Sequence, residues 1–266
     1  MFTNQSLINS LKDAWQAVCA YDFWITFAWN DIKVRYRRSR IGQFWITLSI
    51  AIFILGVGLF YSQVLNTPVD EYLPDLACGF ILWNFMSSIF IEGCQSYIEA
   101  IPIIQQQKLP LILFPIRVVA RNSIIFLHNF ILIPVIWLMF GYGSFAYLPF
   151  AIGGLFLLLL SGVSVSLVMG MVAARFRDVP QICQSIMQIA FFMTPIIWQP
   201  GSVRGKSELI LLLNPFVYYL EIIRKPLLGQ SVDVSYWAGA LVLTAILAVG
   251  SILFYARFRY RITYWL

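Results

Sequence analysis

Tyr147-Leu-Pro-Phe-Ala-Ile-Gly-Gly-Leu-Phe-Leu-Leu-Leu-Leu-Ser-Gly-Val-Ser-Val-Ser-Leu-Val-Met-Gly-Met-Val-Ala-Ala174 is a run of 28 residues without a charge. About 20 consecutive apolar residues cross a bilayer core as a helix, so this stretch reads as a membrane span. Five further runs lie at about 44–65, 76–98 (interrupted by Glu92), 118–140, 181–200 and 234–256. The pattern predicts an all-α membrane protein with six transmembrane helices. Composition agrees: 60% of the 266 residues are hydrophobic and 11% charged, against roughly 45–50% and about 25% in soluble domains. Six spans leave no room for a soluble catalytic domain, so residues 1–266 are expected to form a single polytopic transmembrane domain, with residues 1–43 at the cytoplasmic interface. No basic stretch precedes an apolar run and cleavage site near the start, so no secretory signal is expected and the mature chain should begin at Met1.

Charge alternates between the connections. Six basic residues (Lys12, Lys33, Arg35, Arg37, Arg38, Arg40) precede the first span. Three follow the second (Lys108, Arg117, Arg121), two the fourth (Arg175, Arg177) and three the last (Arg257, Arg259, Arg261), together 14 of the 18 in the chain. The positive-inside rule therefore predicts that both termini are cytoplasmic. It also accounts for the net charge of +6 without a nucleic-acid partner.

Three segments are neither span nor plain loop. Leu7, Leu11, Trp15 and Val18 recur at helical spacing, with Asn9, Lys12, Asp13 and Gln16 on other faces, the pattern of a helix lying in the membrane interface or packed on a partner. Glu99 to Pro115 is too short to span and too apolar for free solvent, and it predicts a short cytoplasmic helix or a shallow re-entrant segment. Leu209–Leu213 and Phe216–Leu220, separated at Asn214-Pro215, are too short to cross and predict two short re-entrant helices in the outer leaflet.

Several chemistries are missing. No G-x-x-x-x-G-K-[ST] loop occurs to cradle nucleotide phosphates. The lone His128 and the dispersed Cys19, Cys78, Cys94 and Cys183 do not make a metal site or a disulfide framework. Asp70, Glu71 and Asp75 read as a solvated loop start, although paired carboxylates of a membrane glycosyltransferase would use the same residue types.

Four stretches in order carry a family resemblance: Asp31-Ile-Lys-Val-Arg-Tyr-Arg-Arg-Ser-Arg-Ile-Gly-Gln-Phe-Trp45; Leu109-Pro-Leu-Ile-Leu-Phe-Pro-Ile116; Ala174-Arg-Phe-Arg-Asp-Val-Pro180 with Thr194-Pro-Ile-Ile-Trp198; and Leu213-Asn-Pro215 with Ile223-Arg-Lys-Pro-Leu-Leu228. The chain resembles the integral-membrane permease subunit of bacterial ATP-binding-cassette exporters of lipid-linked polysaccharide, the O-antigen and capsule type. The resemblance implies a half-transporter in the inner membrane. Two copies would form the channel, two separate nucleotide-binding subunits would bind ATP and Mg, and the cargo would be a glycan on undecaprenyl pyrophosphate. This chain itself would bind no cofactor. Export of another amphiphile by the same architecture, or an integral-membrane enzyme of lipid-sugar synthesis, are the competing readings.

Three sets of residues are candidates for function. Glu92 lies 14.5 positions before the Gln106–Gln107 midpoint and Arg121 14.5 after it, so a hairpin of the second and third spans sets them at similar depth, while His128 lies about 10 Å deeper. An intramembrane carboxylate needs a partner, and Arg121 is the expected one. Ile103, Ile104, Lys108 and Leu109 are expected to couple the chain to the ATPase by docking in a groove of that subunit. Arg35 and Arg38, three apart and on one face if the helix is continuous, are expected to bind the lipid pyrophosphate through paired, charge-assisted hydrogen bonds. Arg37 and Arg40 would set orientation or bind anionic lipid.

The topology is testable with cysteines placed at Ser10, Gln106 and Ser202. An impermeant thiol reagent added outside spheroplasts should label only Ser202→Cys, and labelling of Gln106→Cys would reverse the orientation.

Overall fold

The computed structural model describes residues 4–35, 37, 42, 44–143, 145–198 and 211–266. Its principal elements are eleven helices: α1 (Asn4–Cys19), α2 (Tyr21–Arg35), α3 (Phe44–Val64), α4 (Val69–Gln95), α5 (Ile101–Gln106), α6 (Leu113–Phe130), α7 (Leu132–Phe140), α8 (Leu148–Arg175), α9 (Val179–Met193), α10 (Pro215–Leu227) and α11 (Val234–Trp265). Prolines set several starts. Pro102, Pro149, Pro180 and Pro215 occupy the first turn of α5, α8, α9 and α10, where the missing N–H leaves no helical bond unmade. Asp233 caps α11 by accepting from the Ser235 backbone N–H at 2.9 Å, and that bond holds its carboxyl below the usual carboxylate range.

Among the described residues, five helical stretches are long and apolar enough to cross a membrane: α3, α4, the α6–α7 pair over Leu113–Phe140, α8 and α11. The break between α6 and α7 follows from Pro134, which cannot donate to the carbonyl of Phe130, where α6 ends. At the far end of α7, Gly141 takes φ +72° and returns its N–H to Trp137 O at 2.9 Å, a left-handed cap that glycine adopts at no steric cost.

The expected span at 181–200 holds a helix shorter than its apolar run. Its helix, α9, has 15 residues, about 22 Å at 1.5 Å per residue against a core of ~30 Å. Pro195 ends it: the residue before a proline is driven from the helical region, and Thr194 is extended at φ −95°, ψ 136°. The second span starts earlier than its hydropathy suggested, at Val69, and the last runs on to Trp265. Of the two short outer segments, the second lies within α10; residues 199–210 lie outside the described residues, which covers the start of the first.

α8 is the hub, packing against α4, α6, α9, α10 and α11. It can be approached so closely because its contact face carries Ala151, Gly154, Ser161, Gly162, Ser166, Gly170 and Ala174, all buried. Small residues at such spacing let helices in a membrane meet backbone to backbone. A Cβ on Gly93 of α4 would lie 2.9 Å from Ser166 Cα, and one on Gly170 would lie 3.1 Å from Gly93 O.

Contacts also fix chain direction. Phe150 meets Trp237 at a 6.4 Å centroid distance, and Arg175 lies 5.4 Å over the Trp265 ring, so α8 and α11 run parallel. Tyr255 and Arg259 of α11 bond Asp13 of α1 at 2.9 and 3.1 Å, which puts α1 and the chain's last turns at one end of the bundle, the terminal end. Between the end of α8 there and the start of α11 at the opposite end, the chain must traverse the bundle once more. α9 and the turn after it make that pass, from Cys183 beside Cys94 and Ala173 to Ile196 beside Gly79.

Gly170→Val should therefore destabilise the detergent-solubilised protein by about 1 to 3 kcal/mol through overpacking, visible as a lowered Tm. Gly56→Ala, with nothing within 4 Å of the new Cβ, should not lower Tm, and the better helix propensity of alanine should raise it slightly.

Candidate functional site

At the terminal end, charged side chains from four segments converge. Asp31 and Arg35 are one helical turn apart on α2, and Arg117 and Arg121 one turn apart on α6, so each pair shares a face. Arg117 grips Asp31 through both forks, Nε to Oδ2 at 2.8 Å and a terminal nitrogen to Oδ1 at 2.5 Å. Its guanidinium also lies 5.3 Å over the Phe27 ring. Arg121, with a side chain 5% exposed, bonds Glu92 at 2.9 Å and Asp31 and Glu99 at 3.3 Å each. Glu92 also accepts from Asn122 Nδ2 at 2.7 Å and from Arg35 at 3.3 Å.

The result is a clamp in which one guanidinium joins α2, α4 and the connection after α4 to α6. Only arginine, with its planar fork of donors, bonds three carboxylates in this way.

The other sequence candidates stand as follows. α2 as described ends at Arg35; Arg38 and Arg40 lie outside the described residues. In and after α5, Ile103, Ile104 and Leu109 pack partly against the chain's own core of Tyr97, Ala100, Leu113 and Phe114. Pro102, Gln105, Gln106, Gln107 and Lys108 are exposed. His128 Nδ1 lies 2.8 Å from the Ile124 carbonyl of its own helix. On α1, Ile8, Leu11, Trp15 and Val18 form an exposed apolar stripe while Ser10 and Ala17 are buried.

A second charged cluster, at the opposite end, was not read from the sequence. Arg224 of α10 pairs with Glu221, bonds Asp75 of α4 at 3.1 Å, and donates to Pro195 O at 2.8 Å. Lys225 reaches Glu221 at 3.0 Å. Tyr72 donates to Ile197 O at 2.6 Å, and Asn214 donates to Thr194 Oγ1 at 2.9 Å while its Oδ1 caps α10 at Phe216 N. Thr194–Trp198, Leu213–Pro215 and Ile223–Leu228, parts of the third and fourth stretches quoted above, thus meet in one place. The available signal was the spacing of Glu221, Arg224 and Lys225 in an otherwise apolar helix.

The description "ABC-2 type transporter" matches residues 23–228, from the α2 face that carries Asp31 to the end of α10. The chain belongs to this family. It is thus a multi-pass membrane permease, and membership implies a partner subunit that binds ATP. Among individual relatives, the O-antigen export system permease protein RfbA of Klebsiella pneumoniae is 23% identical over 257 residues, 95% of this chain and 98% of its own length. A second Klebsiella pneumoniae protein of that name is 22% identical over the same coverage. The Myxococcus xanthus protein of that name is 23% identical over 199 residues, 73% of this chain and 75% of its own. Among the described residues of this ABC-2 permease, no three His, Cys, Asp or Glu side chains are grouped to hold a metal ion.

Breaking the clamp from its centre should be costly. Arg121→Gln leaves three carboxylates without their shared cation and should destabilise by about 2 to 3 kcal/mol, below the range for fully buried pairs because Glu92 and Glu99 stay partly exposed. Arg121→Lys should restore less than half of that loss. A double-mutant cycle with Glu92→Gln, read by thermal unfolding, should give a coupling of about 0.5 to 3 kcal/mol, and additive effects would mean that the 2.9 Å contact contributes nothing.

Proposed function

We propose that the chain is the transmembrane permease subunit of an ATP-driven exporter that moves polysaccharide of the O-antigen or capsule type, linked to undecaprenyl pyrophosphate, across the bacterial inner membrane. The observation that carries this reading is end-to-end similarity to O-antigen export permeases, covering 95% of this chain and 98% of the relative. The chain is not itself an enzyme; hydrolysis of ATP with Mg belongs to the partner subunit.

In this reading the membrane is crossed six times, α9 and the Thr194–Trp198 turn supplying the fifth pass, and α10 is re-entrant from the outer face. Both termini are cytoplasmic, consistent with α1 and the end of α11 sharing one end of the bundle and with the concentration of basic residues there. α1 lies in the interface with Leu11, Trp15 and Val18 toward lipid. The second copy of the chain packs on α3, whose Phe44, Leu48, Ile52, Leu55 and Phe60 are exposed. The ATPase docks at the segment from Ile103 to Leu109, with Gln105, Gln106 and Lys108 as the outward contact and Ile103, Ile104 and Leu109 holding it in shape. Arg35 and Arg38 receive the pyrophosphate.

A strain lacking the chain should still make the glycan but accumulate it, lipid-linked, on the cytoplasmic side; loss of synthesis instead would indicate an enzyme. At matched membrane levels, Arg35→Gln should reduce export at least tenfold, with Arg35→Lys in between. Full export by Arg35→Gln would remove Arg35 from head-group binding.

A further inference from the structure

Between α3, α4 and α6 lies a cavity of about 170 Å³. Its polar lining is Arg35, Asn84, Ser88, Glu92, Asn122 and Asn129. Asn84, Ser88 and Glu92 follow one another at four-residue intervals on α4, a polar edge about 12 Å long. Asn122 and Asn129 share one face of α6, two turns apart, and the remaining wall includes the stacked rings of Phe85 and Phe126, 4.6 Å between centroids. The edge starts at the clamp and runs from the terminal end toward the middle of the bundle.

Polar groups in a membrane interior are expensive unless they are partnered or face a cavity with a task. Here the hydrogen-bonding capacity is half used. Asn84 donates its amide N–H to Phe80 O at 2.8 Å, which leaves its carbonyl oxygen to accept. Asn129 accepts from Thr47 at 3.3 Å, which leaves its amide to donate. Ser88 makes no hydrogen bond among the described residues. Acceptor, donor and hydroxyl thus alternate along an aromatic-backed slot, with a guanidinium and a carboxylate at its mouth.

We propose that this cavity is a subsite for one sugar ring, the saccharide next to the pyrophosphate of the lipid-linked substrate. Hydroxyls on a sugar both donate and accept, and the apolar face of the ring packs on aromatic carbon; the cavity supplies both. At about 30 Å³ per water it holds five or six water volumes, enough for a single ring and too little for an oligosaccharide. The subsite rests on the polysaccharide-export reading and deepens it, because it makes the first sugar a part of substrate recognition.

The test uses the complex of this chain with its ATPase partner in nanodiscs, titrated with polyprenyl pyrophosphate carrying one hexose and with the same lipid lacking the sugar. The wild type is expected to bind the hexose-bearing lipid about tenfold more tightly, the equivalent of one or two net hydrogen bonds. Asn84→Leu on α4 and Asn129→Leu on α6 should each bind the two lipids equally, with affinity for the sugar-free lipid unchanged. The two variants reach the cavity from different helices, so whichever folds with a wild-type Tm decides. Retained discrimination in a folded variant would overturn the subsite, as would equal affinity of the wild type for both lipids, the expected result if the cavity holds only water. Wild-type binding of neither lipid would instead overturn the export reading.

Discussion

Hydrocarbon offers no hydrogen bonds, so each backbone N–H and C=O inside a membrane must find its partner within the protein. The structure is organised by that constraint wherever a helix stops inside the bundle. Pro195 ends α9 well short of a bilayer's thickness, and the carbonyls released there do not face lipid. Arg224 takes Pro195 O, Tyr72 takes Ile197 O, and Asn214 reaches Met193 O at 3.4 Å. A side chain able to do this must itself be buried, and a buried guanidinium requires carboxylates; Glu221 and Asp75 follow from the same demand. The charge cluster at this end is thus a result of the broken helix.

The clamp at the terminal end has a different logic. α4 ends within it, between Glu92 and Glu99, yet its charged groups bond one another rather than the freed backbone. Its ion pairs join α2 to α4 and α6, beside apolar contacts such as Phe27 under the Arg117 guanidinium. Arg117 and Arg121 add directional bonds to these, and directional bonds specify a register. The two ends are therefore rigid for different reasons, with the small-residue face of α8 running between them.

Much of this arrangement could be read from residue order, and the limits have physical causes. Long uncharged runs identified α3, α4, α8 and α11 because crossing a bilayer imposes a length that nothing else does. Equal spacing about Gln106–Gln107 set Glu92 and Arg121 at one depth, an inference needing only the helical rise, and the two are 2.9 Å apart. The shortness of α9 was missed because apolar residues continue beyond Pro195, so hydropathy ran on where the backbone could not. The cluster around Arg224 was hidden because its partners come from remote segments: Asp75 is 149 positions away, and no local pattern records a contact at that separation. Asp31, the acid that both Arg117 and Arg121 share, sits at the head of a strongly basic stretch, and its partners are 86 and 90 positions away.

The bond between Tyr255 and Asp13 spans 242 positions. At roughly 5 to 20 residues per second of translation, α1 waits about 12 to 50 s after its own synthesis before the ribosome delivers the helix it rests on. During that interval its exposed stripe of Ile8, Leu11, Trp15 and Val18 is the part of the nascent chain ready to hold the bilayer surface. Of the described helices α1 is thus the earliest made, yet one of its contacts waits for α11, the latest.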